Sequence, residues 1–182
     1  NYEMGCLLGD SIIGRENPEI KVAVIEDNIK RSSVESRFKG INYILSKKNI
    51  KTVLWKRNEN EKEIETIFFL QRALVEEAVD VVVALDNEST EAIADAVTNL
   101  NKKVKIYGIA NSDKAVSYLD RNTIQLLVYE NEFNIGYLAV QKLLSEKEKN
   151  QIDFDSYMEY RAITKEDMYS ENNEKLVFPF VK

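Results

Sequence analysis

The chain has 182 residues, 44% hydrophobic and 31% charged, with a formal net charge of −6. This fits one well-packed domain or a domain with an appendage, and the acidic balance argues against nucleic acid as a partner. With no histidine and one cysteine, Ser-His and Cys-His catalysis, ordinary zinc sites and an internal disulfide are all excluded. No apolar run approaches the ~20 residues of a membrane span.

Taken in chain order, the hydrophobic periodicity predicts a regular alternation of helices and strands. Residues Tyr2–Ile13 read as a helix with Met4, Leu7, Leu8 and Ile12 on one face, and Cys6 as a buried structural thiol. Ile20–Ile25 is a short buried strand. A helix capped by Ser32 or Ser33 runs to about Lys47, with Val34, Phe38, Ile41 and Leu45 inward. Lys51–Trp55 is a strand, Glu61–Ala78 a long helix, and Val79–Leu85 the most strand-like run of the chain. A helix from Ser89 or Thr90 to Leu100, a strand over Val104–Ile109, a short helix over Ser112–Leu119, a strand over Ile124–Tyr129 and a helix over Phe133–Glu146 complete the series. Beyond Lys147 a polar stretch leads to a strand in YMEYRAIT, a polar turn or short helix, and the apolar end VFPFV.

This alternation predicts an α/β fold with an open, mostly parallel, doubly wound sheet and right-handed crossovers. Ligands bind such sheets outside the carboxyl ends of the strands. Attention therefore falls on residues 26–30, 56–58, 86–88, 110–112 and 130–132. Two of these places carry acids after apolar runs, KVAVIEDN (21–28) and DVVVALDN (80–87).

Acids at these strand ends also suit a phosphate-accepting receiver domain, with Glu26, Asp27 and Asp86 as its acidic corner. That chemistry needs a hydroxyl after the fourth strand and a lysine after the fifth. The chain has Ala110 and Glu130 there, and a carboxylate at the second position would repel the phosphoryl group.

Several segments together resemble type I periplasmic binding proteins of the ribose- and galactose-binding sort, relatives of the effector domains of LacI-type repressors. NYEMGCLLGDSI resembles that family's "DN…G" helix at the first crossover between lobes. ESRFKGINYIL resembles its "R…GF" helix, ALDNESTEAIADAV its "NDEMALGA" segment and VKIYGIA its "VVGFD" strand. LLVYENEFNIGYLAVQKLL, with Gly136, Ala139 and Leu143, resembles the strand and helix of the last crossover, and RAITKEDMYSEN the "VTKEN" ending of the transporter-linked branch.

The resemblance implies that residues 1–130 and 160–182 form a C-terminal lobe. Residues 131–159 would normally belong to the N-terminal lobe, whose main sheet lies outside this sequence. It implies a non-enzymatic small-molecule binder, most simply the sugar-binding component of an uptake transporter or an associated sensor, outside the cytoplasm and periplasmic or membrane-tethered. No cofactor or metal is implied. The partners implied are a sugar or related polar solute and a membrane permease or sensor kinase. A homodimer could form through the face left open by the absent lobe. The alternative is the effector domain of a LacI-type regulator in the cytoplasm, disfavoured because GRENPEIKVAVI lacks the "GH…I" run of repressors.

Carried over by position, the ligand contacts are Asn1, Arg37, Asp86 and Glu130. Asn111 or Asp113 would compensate for Ala110, where sugar binders commonly have an aspartate. Trp55, with Arg57 beside it, reads either as a stacking platform at the cleft rim or as packing under the helix layer. Arg37 is read against plain pairing with Glu35, and Asp86 against a purely structural role at a helix start.

Overall fold

The computed structural model describes residues 1–27, 31–57, 62–131, 136–137, 140 and 160–178, the Asp27 side chain excepted. The elements in order are α1 (Tyr2–Arg15), β1 (Lys21–Asp27), α2 (Ser32–Lys47), β2 (Lys51–Arg57), α3 (Glu63–Glu76) and β3 (Val81–Ala84). They continue with α4 (Asn87–Leu100), β4 (Lys105–Ile109), α5 (Asp113–Asp120), β5 (Leu126–Glu130), β6 (Tyr160–Ile163) and α6 (Glu171–Val177). The expected helix over Phe133–Glu146 lies outside the described residues except at 136–137 and 140, where Tyr137 and Val140 are exposed.

The strands form one sheet in the order β2-β1-β3-β4-β5-β6. The first five run parallel, and β6 pairs antiparallel with β5, opposing Leu127 to Ile163 and Glu130 to Tyr160. Because strand side chains alternate between faces, each run of apolar residues divides itself between two cores. Val22 and Val24, Val81 and Val83, and Leu126 and Val128 pack toward α1 and α2. Ala23 and Ile25, Val82 and Ala84, and Leu127 and Tyr129 pack toward α3, α4 and α5, together with Met168 and Leu176 from the tail. Burial on both faces is why these strands read as continuous apolar runs rather than alternating ones.

The helix ends differ from expectation by a few residues, with local causes. Asp86, not Ser89 or Thr90, is the N-cap of α4, its Oδ1 accepting from the Ser89 amide at 2.7 Å. Ser32 is the first residue of α2 rather than its cap, a position taken by Arg31. Left-handed asparagines close three helices: Asn49 (φ 54°) after α2, Asn101 (φ 49°) after α4 and Asn122 (φ 60°) after α5. Asparagine tolerates this backbone better than most residues.

Two glycines set the α1–α2 crossing. A Cβ on Gly5 would lie 2.0 Å from the Arg37 carbonyl oxygen, and one on Gly40 would lie 2.1 Å from the Tyr2 carbonyl oxygen. The two helices therefore touch backbone to backbone. Cys6 sits in this seam, half-buried, with its Sγ 3.6 Å from the Gly40 carbonyl oxygen it donates to.

Candidate functional site

At the carboxyl edge of the sheet, β1 leads to α2 on one face while β3 leads to α4 on the other. Adjacent strands thus send the chain to opposite faces, which leaves a crevice at their ends, the place where open α/β sheets bind ligands. A cavity of about 310 Å³ opens there. Arg31 and Arg37 line one wall, Asp86, Asn87 and Glu88 a second, and Asn111 and Glu130 a third, over an apolar floor of Ile109, Ala110 and Val128.

Arg37 stands at the centre of the polar network, on α2. Its Nε donates to Asn1 Oδ1 at 2.9 Å, its Nη1 to the Leu85 carbonyl at 2.9 Å, and its Nη2 reaches Glu130 Oε2 at 3.4 Å. Only 13% of the side chain is exposed. Burial lowers the guanidinium pKa from its ordinary value. The Glu130 and Asp86 charges oppose that shift and the Arg31 charge adds to it. The guanidinium carries five N–H donors; among the described residues three are engaged, which leaves two for a ligand in the cavity it lines.

Asp86 divides its two oxygens. One caps α4, and the other accepts from Arg31 Nη2 at 3.0 Å. The Asn87 and Asn111 amides are locked reciprocally: Asn87 Nδ2 donates to Asn111 Oδ1, and the Asn111 backbone N–H donates to Asn87 Oδ1, both at 2.9 Å. The second bond ties the loop after β4 to the start of α4 and fixes the cavity's third wall.

The structure brings together Arg37, Asp86, Asn111 and Glu130 as cavity-lining residues, with Asn1 behind them as a hydrogen-bond partner of Arg37. Arg37 pairs with Glu130, while Glu35 pairs with Lys39. Ala110 forms part of the floor, and Asp113, the first residue of α5, is not among the lining residues.

Trp55 is corrected. It is buried at 4% exposure in the core beneath α3 and α4. Its indole Nε1 donates to Glu77 at 2.9 Å, and Glu77 also holds the ammonium of Lys21 at the opposite end of the sheet. The ring thus reaches away from the cavity, because an odd position in β2 faces the helix layer.

Among the polar lining residues, Arg31 is the one that lay neither in the strand-end segments nor in the resemblance, while Asn87 and Glu88 fell within 86–88 without being singled out. Arg31 sits one position past the segment expected at the β1 end, and its role as N-cap residue of α2 is what turns it back toward Asp86. A basic residue at a helix start, where an acid or hydroxyl is favoured, was the available signal.

A family model described as a periplasmic binding protein domain matches residues 1–150. Among solved structures, the chain is similar to an ABC transporter solute binding protein from Agrobacterium vitis with bound D-fucose: 15% identity and TM-score 0.86, covering 98% of this chain and 62% of that one. It is also similar to a carbohydrate transporter solute binding protein from Agrobacterium radiobacter in complex with D-arabinose: 18% identity and TM-score 0.84, covering 97% and 63%. A third likeness is to the XylFII–LytSN complex, at 19% identity and TM-score 0.78, covering 91% and 60%. The chain thus spans about three fifths of the length of these structures. At these identities the likeness establishes the fold. No curated protein matches the chain.

Proposed function

This chain belongs to the periplasmic binding protein domain family, and from that premise we propose that it is one lobe of a sugar-binding, non-catalytic solute receptor. The observation that carries the reading is the Arg37–Glu130 pair, which joins the first wall of the cavity to the third. A largely buried guanidinium with spare donors stands beside a carboxylate with spare acceptor sites, so hydroxyls can be both accepted and donated. The flanking charges nearly balance: Arg31 and Arg37 face Asp86 and Glu130, and Glu88 is held by Arg57 at 2.9 Å. An uncharged polyol meets such a wall without leaving a charge uncompensated, and the apolar floor suits the C–H face of a sugar ring. This balance weighs against a cationic ligand selected by the carboxylates alone. The sugars bound in the A. vitis and A. radiobacter structures agree with the class proposed.

On this reading residues 1–130 and 160–182 form the C-terminal lobe, and residues 131–159 run toward a second lobe. The ligand bridges the two and shifts an open–closed equilibrium. The chain acts outside the cytoplasm, periplasmic or membrane-tethered, and the closed form is read by a membrane permease or a sensor protein. The likeness to a chain in the XylFII–LytSN complex supports a protein partner. The LacI-type regulator alternative gains no support from these similarities and is set aside.

The test is titration calorimetry of the gene product that carries this chain, with D-fucose, D-arabinose, D-galactose and D-xylose. Saturable binding of at least one of them, lost in Arg37→Ala, is expected. Absence of binding across the panel, or binding indifferent to Arg37→Ala, would overturn the reading.

A further inference from the structure

A second cavity of about 280 Å³ lies on the same edge of the sheet, between the first turns of α3 and α4. It is lined by Arg57, Glu63, Thr66, Glu88, Glu91 and Ala92. Glu88 belongs to both cavities, so they adjoin along the carboxyl ends of the strands and are divided by one side chain, itself 66% exposed. Arg57, the last residue of β2, has a side chain only 8% exposed and donates to Glu88 through Nη2 at 2.9 Å. The Thr66 Oγ1 is buried in the wall of this cavity and has no hydrogen-bond partner among the described residues. A buried hydroxyl without a partner is uncommon, because its desolvation is not compensated.

Lys114 stands behind the acids, 3.2 Å from Glu63 and 3.6 Å from Glu91. Lys114 also holds Asp95 at 3.0 Å, so four carboxylates face two cations, which opposes a phosphate or carboxylate ligand. Groups that both donate and accept are what this lining satisfies, and hydroxyls do both.

We propose that the ligand is an uncharged carbohydrate of at least two linked rings, one in the cavity at Arg37 and the next beside Arg57 and Thr66. This rests on the sugar-binding reading above and extends it to the size of the ligand. The Glu88 side chain lies at the junction, where the linkage between rings would pass.

The experiment compares D-galactose, L-arabinose, D-xylose and D-glucose with galactobiose, arabinobiose, xylobiose and cellobiose by calorimetry on the gene product. It adds the variants Thr66→Val and Glu63→Gln. Thr66→Val keeps the side-chain shape and removes a hydroxyl without a partner among the described residues, so thermal stability should hold. Glu63 is largely exposed, so its variant should also fold.

The expected result is that a two-ring sugar binds at least about tenfold more tightly than its one-ring unit. Each variant should lower two-ring affinity about tenfold and leave one-ring affinity unchanged. One-ring sugars binding as well as or better than two-ring ones would overturn the extension and leave the sugar-binding reading standing. Equal loss of both affinities in Thr66→Val would also overturn it, since the residue would then act through the fold. Binding of neither class would overturn both.

Discussion

Strand β3 is flanked by two aspartates, and they do different work. Asp80 precedes it at the amino end of the sheet, where Oδ2 accepts the Lys21 backbone N–H at 2.8 Å and so fastens the start of β1. Asp86 follows it at the carboxyl end, where one oxygen caps α4 and the other holds Arg31 against a cavity. The contrast extends along both edges. At the amino edge Lys21 pairs with Glu77, and Lys105 and the Tyr107 hydroxyl both bond Glu16. That edge also has a hollow, of about 470 Å³, lined by Lys102, Lys103 and Asn101 among others. It is larger than either cavity at the carboxyl edge, so volume does not mark the site. Buried polar groups that converge with donors and acceptors to spare do.

The comparison is broken most forcefully at Arg37. Arg37→Ala should reduce sugar affinity by about a hundredfold or more, since two charge-assisted hydrogen bonds are lost. It should also cost about 2 kcal/mol of stability, because Glu130 and the Leu85 carbonyl lose a common donor. Calorimetry and urea unfolding read the two effects separately. Asp86→Ala comes next: loss of the cap and of the Arg31 pair should cost about 1–2 kcal/mol and weaken binding. Asp86→Asn, which keeps an acceptor for the cap, should retain most of the stability and expose the contribution of the ion pair. Asp80→Ala should cost about 1 kcal/mol with affinity untouched; a loss of binding there would dissolve the distinction between the edges.

The smallest effects concern Trp55 and Glu77. Trp55→Phe removes the indole donor but keeps an aromatic ring, so a slight drop in melting temperature and no change in sugar affinity are expected. The hydrogen bond from Trp55, followed by that from Lys21, holds the Glu77 carboxyl below the usual glutamate pKa. A depressed folded-state pKa contributes stability above the unfolded value, and that contribution is lost as pH falls through the depressed one. Melting curves from neutral pH downward should therefore show a steeper acid decline in wild type than in Glu77→Gln. Parallel curves would remove Glu77 from the account of acid stability.

Much of the fold was legible because strands buried on both faces produce unbroken apolar runs such as VVVA, and helices produce the 3.6-residue repeat. Strand direction then told which ends to inspect, those of Asp86, Asn111 and Glu130 among them, whereas Arg37, inside α2, was pointed to only by the family resemblance. What was not legible depends on side-chain direction at element ends. Trp55 and Arg57 both look like rim residues in sequence. The pleat puts both on the face covered by α3 and α4; two extra residues of strand leave Trp55 buried short of its end and carry Arg57 to the edge of the second cavity. Arg31 was hidden because its position depends on where α2 begins, and Asp86's capping bond moved the start of α4 two or three residues ahead of the serine and threonine expected to begin it. The second cavity had no sequence signature, since Thr66 and Ala92 are ordinary helix residues brought together only by packing.

The glycine seam between α1 and α2 has a mechanical consequence. Gly5 rests against the carbonyl of Arg37, the same residue whose side chain grips Asn1 and Glu130. With no side chain between the two backbones, a shift of α1 is expected to carry α2 and its guanidinium with it. Asn1, just ahead of α1, is tied to the same residue by the hydrogen bond it accepts from the Arg37 side chain at 2.9 Å. Gly5→Ala should push the two helices apart even where the fold survives, and it should register as weakened ligand affinity with every residue of the cavity still in place.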